Sequence, residues 1–78
     1  MKFSLAKLNP GASAKVLDIL GHGPVERRLL EMGLVSGAKV SAVRKSPLGN
    51  SIEFKIFGSN IVMRRNEAER VLVEPLSA

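Results

Sequence analysis

Ser51-Ile52-Glu53-Phe54-Lys55-Ile56-Phe57-Gly58-Ser59-Asn60-Ile61-Val62-Met63-Arg64 is the stretch that decides the fold. Ile52, Phe54 and Ile56 alternate with Glu53 and Lys55. That period of two sets one face of a strand on a core and the other in water. Gly58-Ser59 reads as a two-residue hairpin turn, and Asn60 to Arg64 as the strand that returns from it.

The same grammar extends outward. Upstream, Ala38, Val40 and Ala42 alternate with Lys39 and Ser41, predicting a strand. Ser46-Pro47-Leu48-Gly49-Asn50 follows as a loop, because Pro47 cannot donate within a ladder and Gly49-Asn50 suits positive φ. Further up, Ala14 to Leu20 reads as a strand with β-branched residues. It is preceded by the turn signal Asn9-Pro10-Gly11, with Leu5 and Leu8 flanking the first segment. Downstream, Asn66 to Glu69 resembles one capped helical turn with Asn66 as N-cap and Glu69 three residues on. Val71 to Glu74 then makes a last strand before Pro75.

One helix interrupts this pattern. Pro24 suits a helix start, since its missing N–H would have had no partner in the first turn. Val25, Leu29 and Met32 fall at helical spacing on one stripe, whereas Leu30 lies off it and either packs on a second element or faces solvent. Gly33 ends the helix as a C′ residue, with Leu34 folding back on the last turn. Gly11, Gly37 and Gly58 are expected at turns. The expected architecture is mainly β: a small SH3-like barrel of about five antiparallel strands with one short helix after an early strand. Closure into a barrel removes exposed edges.

The chain has 78 residues and reads as one domain over 1–78. A chain of this size buries only roughly 60% of the surface its unfolded form exposes. With no cysteine, neither disulfides nor thiolate metal sites can supplement that core, and a reducing compartment is favoured. No apolar run approaches the roughly 20 residues of a membrane helix. Met1 to Lys7 is broken by lysine too early for a signal peptide. The expected location is the cytoplasm.

Twelve Lys and Arg against seven Asp and Glu give a net charge of +5, which invites an anionic partner. The charge is spread, with adjacent basic pairs only at Arg27-Arg28, Arg44-Lys45 and Arg64-Arg65. Converging polar groups for catalysis are missing: Ser13, Asp18 and His22 could be named as a triad, but nothing places them together. Glu26, Glu31, Glu53, Glu67, Glu69 and Glu74 all read as solvated faces. No catalytic residue and no cofactor is assigned. His22 and Glu26 supply at most two metal ligands, where a stable transition-metal site wants three or four; a weak or adventitious divalent ion is the most they would hold. Single-strand binders need aromatic platforms, and of Phe3, Phe54 and Phe57 only Phe57, beside the hairpin turn, is placed to serve. Nucleic-acid binding therefore ranks second.

Three segments resemble the FeoA family, small cytosolic proteins that accompany the FeoB ferrous iron transporter of bacteria. Arg28-Leu29-Leu30-Glu31-Met32-Gly33-Leu34-Val35-Ser36-Gly37 is similar to that family's helix end, Gly-Leu pair and turn glycine. Ser46-Pro47-Leu48-Gly49-Asn50-Ser51 resembles a family loop, and Ile61 to Ala68 resembles its strand, basic pair and Glu-Ala turn. Ser36 stands where the family often has proline, and Asn50-Ser51 replaces its usual Asp-Pro. The resemblance implies an SH3-like barrel and a non-catalytic role in ferrous iron uptake through the cytoplasmic part of the transporter, at the inner face of the membrane. It implies no small-molecule substrate. A related barrel forms the C-terminal domain of DtxR-type repressors, which keeps a metal-responsive interaction domain in view as an alternative.

Residues suited to the implied docking are Leu30, off the helix stripe, and Leu48, held out by Pro47 and Gly49. Arg27, Arg28, Arg64 and Arg65 frame them. Arginine and apolar side chains that can be desolvated are what interface cores use. Assembly with a second copy is left open.

Overall fold

Among the described residues six strands, one more than the sequence suggests, form one antiparallel sheet in the order β1-β6-β2-β3-β4-β5. The computed structural model describes residues 1–76, so the last two residues of the expected 1–78 unit lie outside the described residues. The strands are β1 (Phe3–Ser4), β2 (Ser13–Ile19), β3 (Lys39–Lys45), β4 (Ser51–Ile56), β5 (Ser59–Arg64) and β6 (Val71–Pro75). A 3₁₀ turn, Leu5–Lys7, follows β1, helix α1 is Pro24–Glu31, and helix α2 is Arg65–Ala68. The extra strand is β1, whose two residues pair with Val73 and Leu72 of β6. Two residues carry no period, so nothing in the sequence marks them as a strand.

The period of two is obeyed where it is clearest. Val40, Ala42, Ile52, Phe54 and Ile56 are buried, and they join Leu5, Leu8, Ala14, Val16, Leu29, Leu34, Met63, Val71 and Val73 in a single core. Phe54 is fully buried at its centre. Register shifts let strands curl around it: the pairing slips between Val16 and Asp18 against β6 and between Ala42 and Arg44 against β4. An extra residue on one strand bends it and tightens its twist, which is how so short a sheet wraps one core in the SH3-like manner; the ladder itself stays open between β1 and β5, so the expected removal of exposed edges is not reached.

The hairpin turn sits one residue earlier than expected. Ile56 pairs with Ser59, so the two turn residues are Phe57 and Gly58, with φ of 50° and 79°. Positive φ at both positions is the type I′ geometry that matches the right-handed twist of the flanking strands. Phenylalanine is unusual there because its Cβ crowds the backbone.

Helix α1 ends as a Schellman motif. Gly33, at φ 100°, donates its N–H to the Leu30 carbonyl at 3.0 Å, and Leu34 donates to the Leu29 carbonyl at 3.2 Å. Leu29 and Leu34 are both fully buried, the apolar contact that accompanies such an ending. The expected stripe on α1 is narrower than its spacing implied. Leu29 alone is buried, Met32 is half-buried, and Val25 is 36% exposed. An eight-residue helix over a small sheet has room to bury about one side chain per turn of contact, and the first turn overhangs.

Candidate docking site

The loop between β3 and β4 is closed tightly by short-range bonds. Ser46 donates its N–H to the Ser51 carbonyl at 3.0 Å, and Gly49 donates to the Ser46 carbonyl at 2.9 Å. That makes Ser46-Pro47-Leu48-Gly49 a β-turn with proline pre-set at its second position. The Ser46 hydroxyl donates to Asn50 Oδ1 at 3.1 Å and accepts the Ser51 N–H at 3.3 Å. Asn50 thus serves as the acceptor that closes the loop. Leu48, at the turn's tip, is 86% exposed. An apolar side chain presented to water on a loop this well tied is a poor fit to folding needs alone.

The same loop is tied to α2. Arg65 donates its N–H to the Asn50 carbonyl at 3.0 Å, and Ser51 pairs with Arg64. Leu48, Gly49, Asn50 and Ser51 therefore face Arg64, Arg65, Asn66 and Glu69 across a shallow open groove of about 740 Å³. Arg64 is exposed and has no carboxylate partner among the described residues, while Arg65 meets Glu69 at 3.6 Å.

The start of α2 differs from the sequence reading. Arg64, not Asn66, is the N-cap, and the carboxylate that reaches back is Glu67, whose Oε1 accepts the Arg64 N–H at 2.9 Å. An arginine side chain has no acceptor to return the bond, so only half of a capping box can form. Glu67 is also not a solvated residue: it is buried, and its Oε2 meets Arg28 Nη1 at 3.1 Å. Arg28 is thereby a strap between α1 and α2. Arg27 and Leu30 remain exposed on α1, Leu30 by 43%. The structure brings Leu48, Gly49, Arg64 and Arg65 into one groove with Pro47 in its loop; Arg27 and Leu30 stand on the helix outside that lining.

His22 and Glu26 do not assemble into a ligand set, and among the described residues there is no group of three or more His, Cys, Asp or Glu able to hold a metal ion. No helix among them is long and apolar enough to cross a membrane. Phe57 is 73% exposed and lies with Lys39, Ser41, Lys55 and Gly58 around a second hollow of about 400 Å³.

A family model described as FeoA domain matches residues 3–75. Over 74 residues, 95% of its length, the chain is 32% identical to the Fe(2+) transport protein A/Fe(2+) transporter FeoB fusion protein of Porphyromonas gingivalis, and it spans 9% of that curated relative. The solution structure of the FeoA protein from Chlorobium tepidum is 41% identical with a TM-score of 0.88, covering 96% of this chain and 71% of that one. The crystal structure of Stenotrophomonas maltophilia FeoA complexed with zinc, described as a prokaryotic SH3 domain protein, is 30% identical with a TM-score of 0.82, covering 92% and 89%.

Proposed function

The chain belongs to the FeoA domain family, and from that premise we propose that it is a non-catalytic accessory of ferrous iron uptake, acting in the cytoplasm as one unit on the cytoplasmic part of a FeoB-type transporter. The observation that carries this reading is the fusion relative: a segment 32% identical to this chain is joined there to the transporter in one polypeptide. Joining two domains fixes a high effective concentration between them, which has a use when they work in contact.

The groove supports the reading. Leu48 is an exposed apolar side chain on a rigid loop, flanked by Arg64 and Arg65. An apolar centre with arginine beside it is the composition of an interface hot spot. Pro47 and Gly49 hold the loop, and Arg27 and Leu30 are further exposed candidates on α1, outside the groove. The test is a titration of the chain with the purified cytoplasmic part of the transporter from the same organism. Saturable binding supports the reading. No binding at high micromolar concentration, together with normal ferrous iron uptake in a deletion strain, overturns it.

Exposed Phe57, which shares a hollow with Lys39 and Lys55, favours a second reading, a small nucleic-acid-binding barrel. That reading requires an affinity for oligonucleotides that falls steeply with salt, because phosphate contacts release counterions. A flat salt response would remove it.

A further inference from the structure

The two edges of the sheet are treated differently. The β1 edge is two residues long, and a strand that short offers little to pair with. The β5 edge is six residues long, contains neither proline nor lysine, and pairs with β4 from Ser51–Arg64 to Ile56–Ser59 without a bulge. Shortness, proline, lysine and a bulge, four devices that blunt an edge, are therefore missing from it, and Arg64 at its end is its one charge.

Which groups this edge presents follows from two independent observations. The Arg64 N–H points away from β4, since Glu67 Oε1 accepts it at 2.9 Å. Alternation then puts the N–H and C=O of Val62 and Asn60 on the same outer edge. The hairpin gives the same parity. Ile56 and Ser59 flank a two-residue turn and face one another in hydrogen bonding, and with Ser59 go Ile61 and Met63. Among the described residues, no backbone group outside β4 bonds to residues Ser59 to Arg64. The Val62 side chain beside this edge is 63% exposed.

We propose that β5 accepts an extended segment of the transporter's cytoplasmic part as a seventh strand, pairing with Asn60 and Val62 and setting a carboxylate against Arg64. This rests on the docking reading above and specifies its chemistry. Two observations select the occupant. Arg64 both ends β5 and lines the Leu48 groove, so strand and groove form one continuous surface. A second copy of the chain would present either the same strand, where Ser59 to Arg64 contains no Asp or Glu to answer Arg64, or the two-residue β1, which is too short to cover β5. Backbone pairing supplies affinity in this mode of recognition, and side-chain pockets supply selectivity.

The experiment uses the full chain and the purified cytoplasmic part of the transporter, followed by amide exchange and by titration. On binding, exchange at Asn60 and Val62 is expected to slow by roughly tenfold or more. Val62→Pro removes an N–H that β4 does not use, so it should leave the hairpin paired and weaken binding by roughly tenfold. Val62→Lys, a gatekeeper charge at the same edge, should weaken binding similarly and serves if the proline variant misfolds. Wild-type binding with unchanged exchange at Asn60 and Val62, or undiminished binding by Val62→Lys, overturns strand addition while leaving docking intact. Absence of wild-type binding overturns both. Self-association that protects Asn60 and Val62 without the transporter assigns the edge to a second copy and overturns the proposal.

Discussion

The ring of Phe57 lies over Gly33, and a Cβ added to Gly33 would sit 3.2 Å from Phe57 Cδ2 and 3.2 Å from Ile56 Cγ2. Two positive-φ residues, one ending α1 and one at the tip of the β4–β5 hairpin, thus close against each other. This contact is where the helix is pinned to the sheet at its C-terminal end, and it gives the unusual turn phenylalanine a packing reason.

Gly33→Ala should accordingly be costly. It meets both a φ of 100° and the crowding from Ile56 and Phe57. A loss of about 2 kcal/mol is expected, or on the order of 10 °C in Tm for a domain of this size. Thermal and denaturant unfolding measure it.

Also at the last turn of α1, Glu67 holds the Arg64 N–H and Arg28 together. Glu67→Ala removes both and should cost about 1–2 kcal/mol. Glu67→Gln keeps an acceptor for the Arg64 N–H and should cost less than half as much. Arg28 is 64% exposed, so its ion pair is solvent-screened and contributes the smaller share. Equal losses in the two variants would show that the charge, not the cap, dominates.

Leu48→Asp and Arg64→Glu separate binding from folding. Both side chains are exposed, so stability should stay within about 0.5 kcal/mol of wild type. Affinity for the transporter's cytoplasmic part should fall by roughly tenfold or more in each. Paired unfolding and titration measurements read the split.

On the outer face, Lys39 lies directly across from Lys15, whose ammonium already meets Glu74 at 3.0 Å. Like charges opposite one another destabilise a sheet. Lys39→Glu should raise stability by about 0.3 kcal/mol in low salt, with the gain shrinking as salt is added.

The sequence was most legible where a single period governs several residues. Ile52, Phe54 and Ile56 announce their buried face, and Gly33 with Leu34 announces the helix end. Glycine is the residue type that marks the start of a hairpin turn, yet Phe57, a residue that seldom accepts positive φ, holds that place and moves the turn by one. Asn66 is the better cap by type, yet Arg64 is the N-cap of α2. Glu67 wins because Arg64 is the residue still extended when the chain turns. The Arg28–Glu67 strap joins residues 39 apart, and no local pattern reports it. In the groove, Leu48 stood out through its neighbours Pro47 and Gly49. Val62 did not, although the alternation of β5 against Glu53 already set it outward.

The two-residue strand β1 also has a mechanical meaning. Phe3 pairs with Val73 and Ser4 with Leu72, antiparallel, so the described ends of the chain leave from the same side of the sheet. A pull applied across those ends loads the rungs one after another, like a zipper, instead of shearing them together. The seam between β1 and β6 would part at low force while the curled core of β2, β3 and β4 stayed closed. A pull between residues in β2 and β4 would meet far greater resistance.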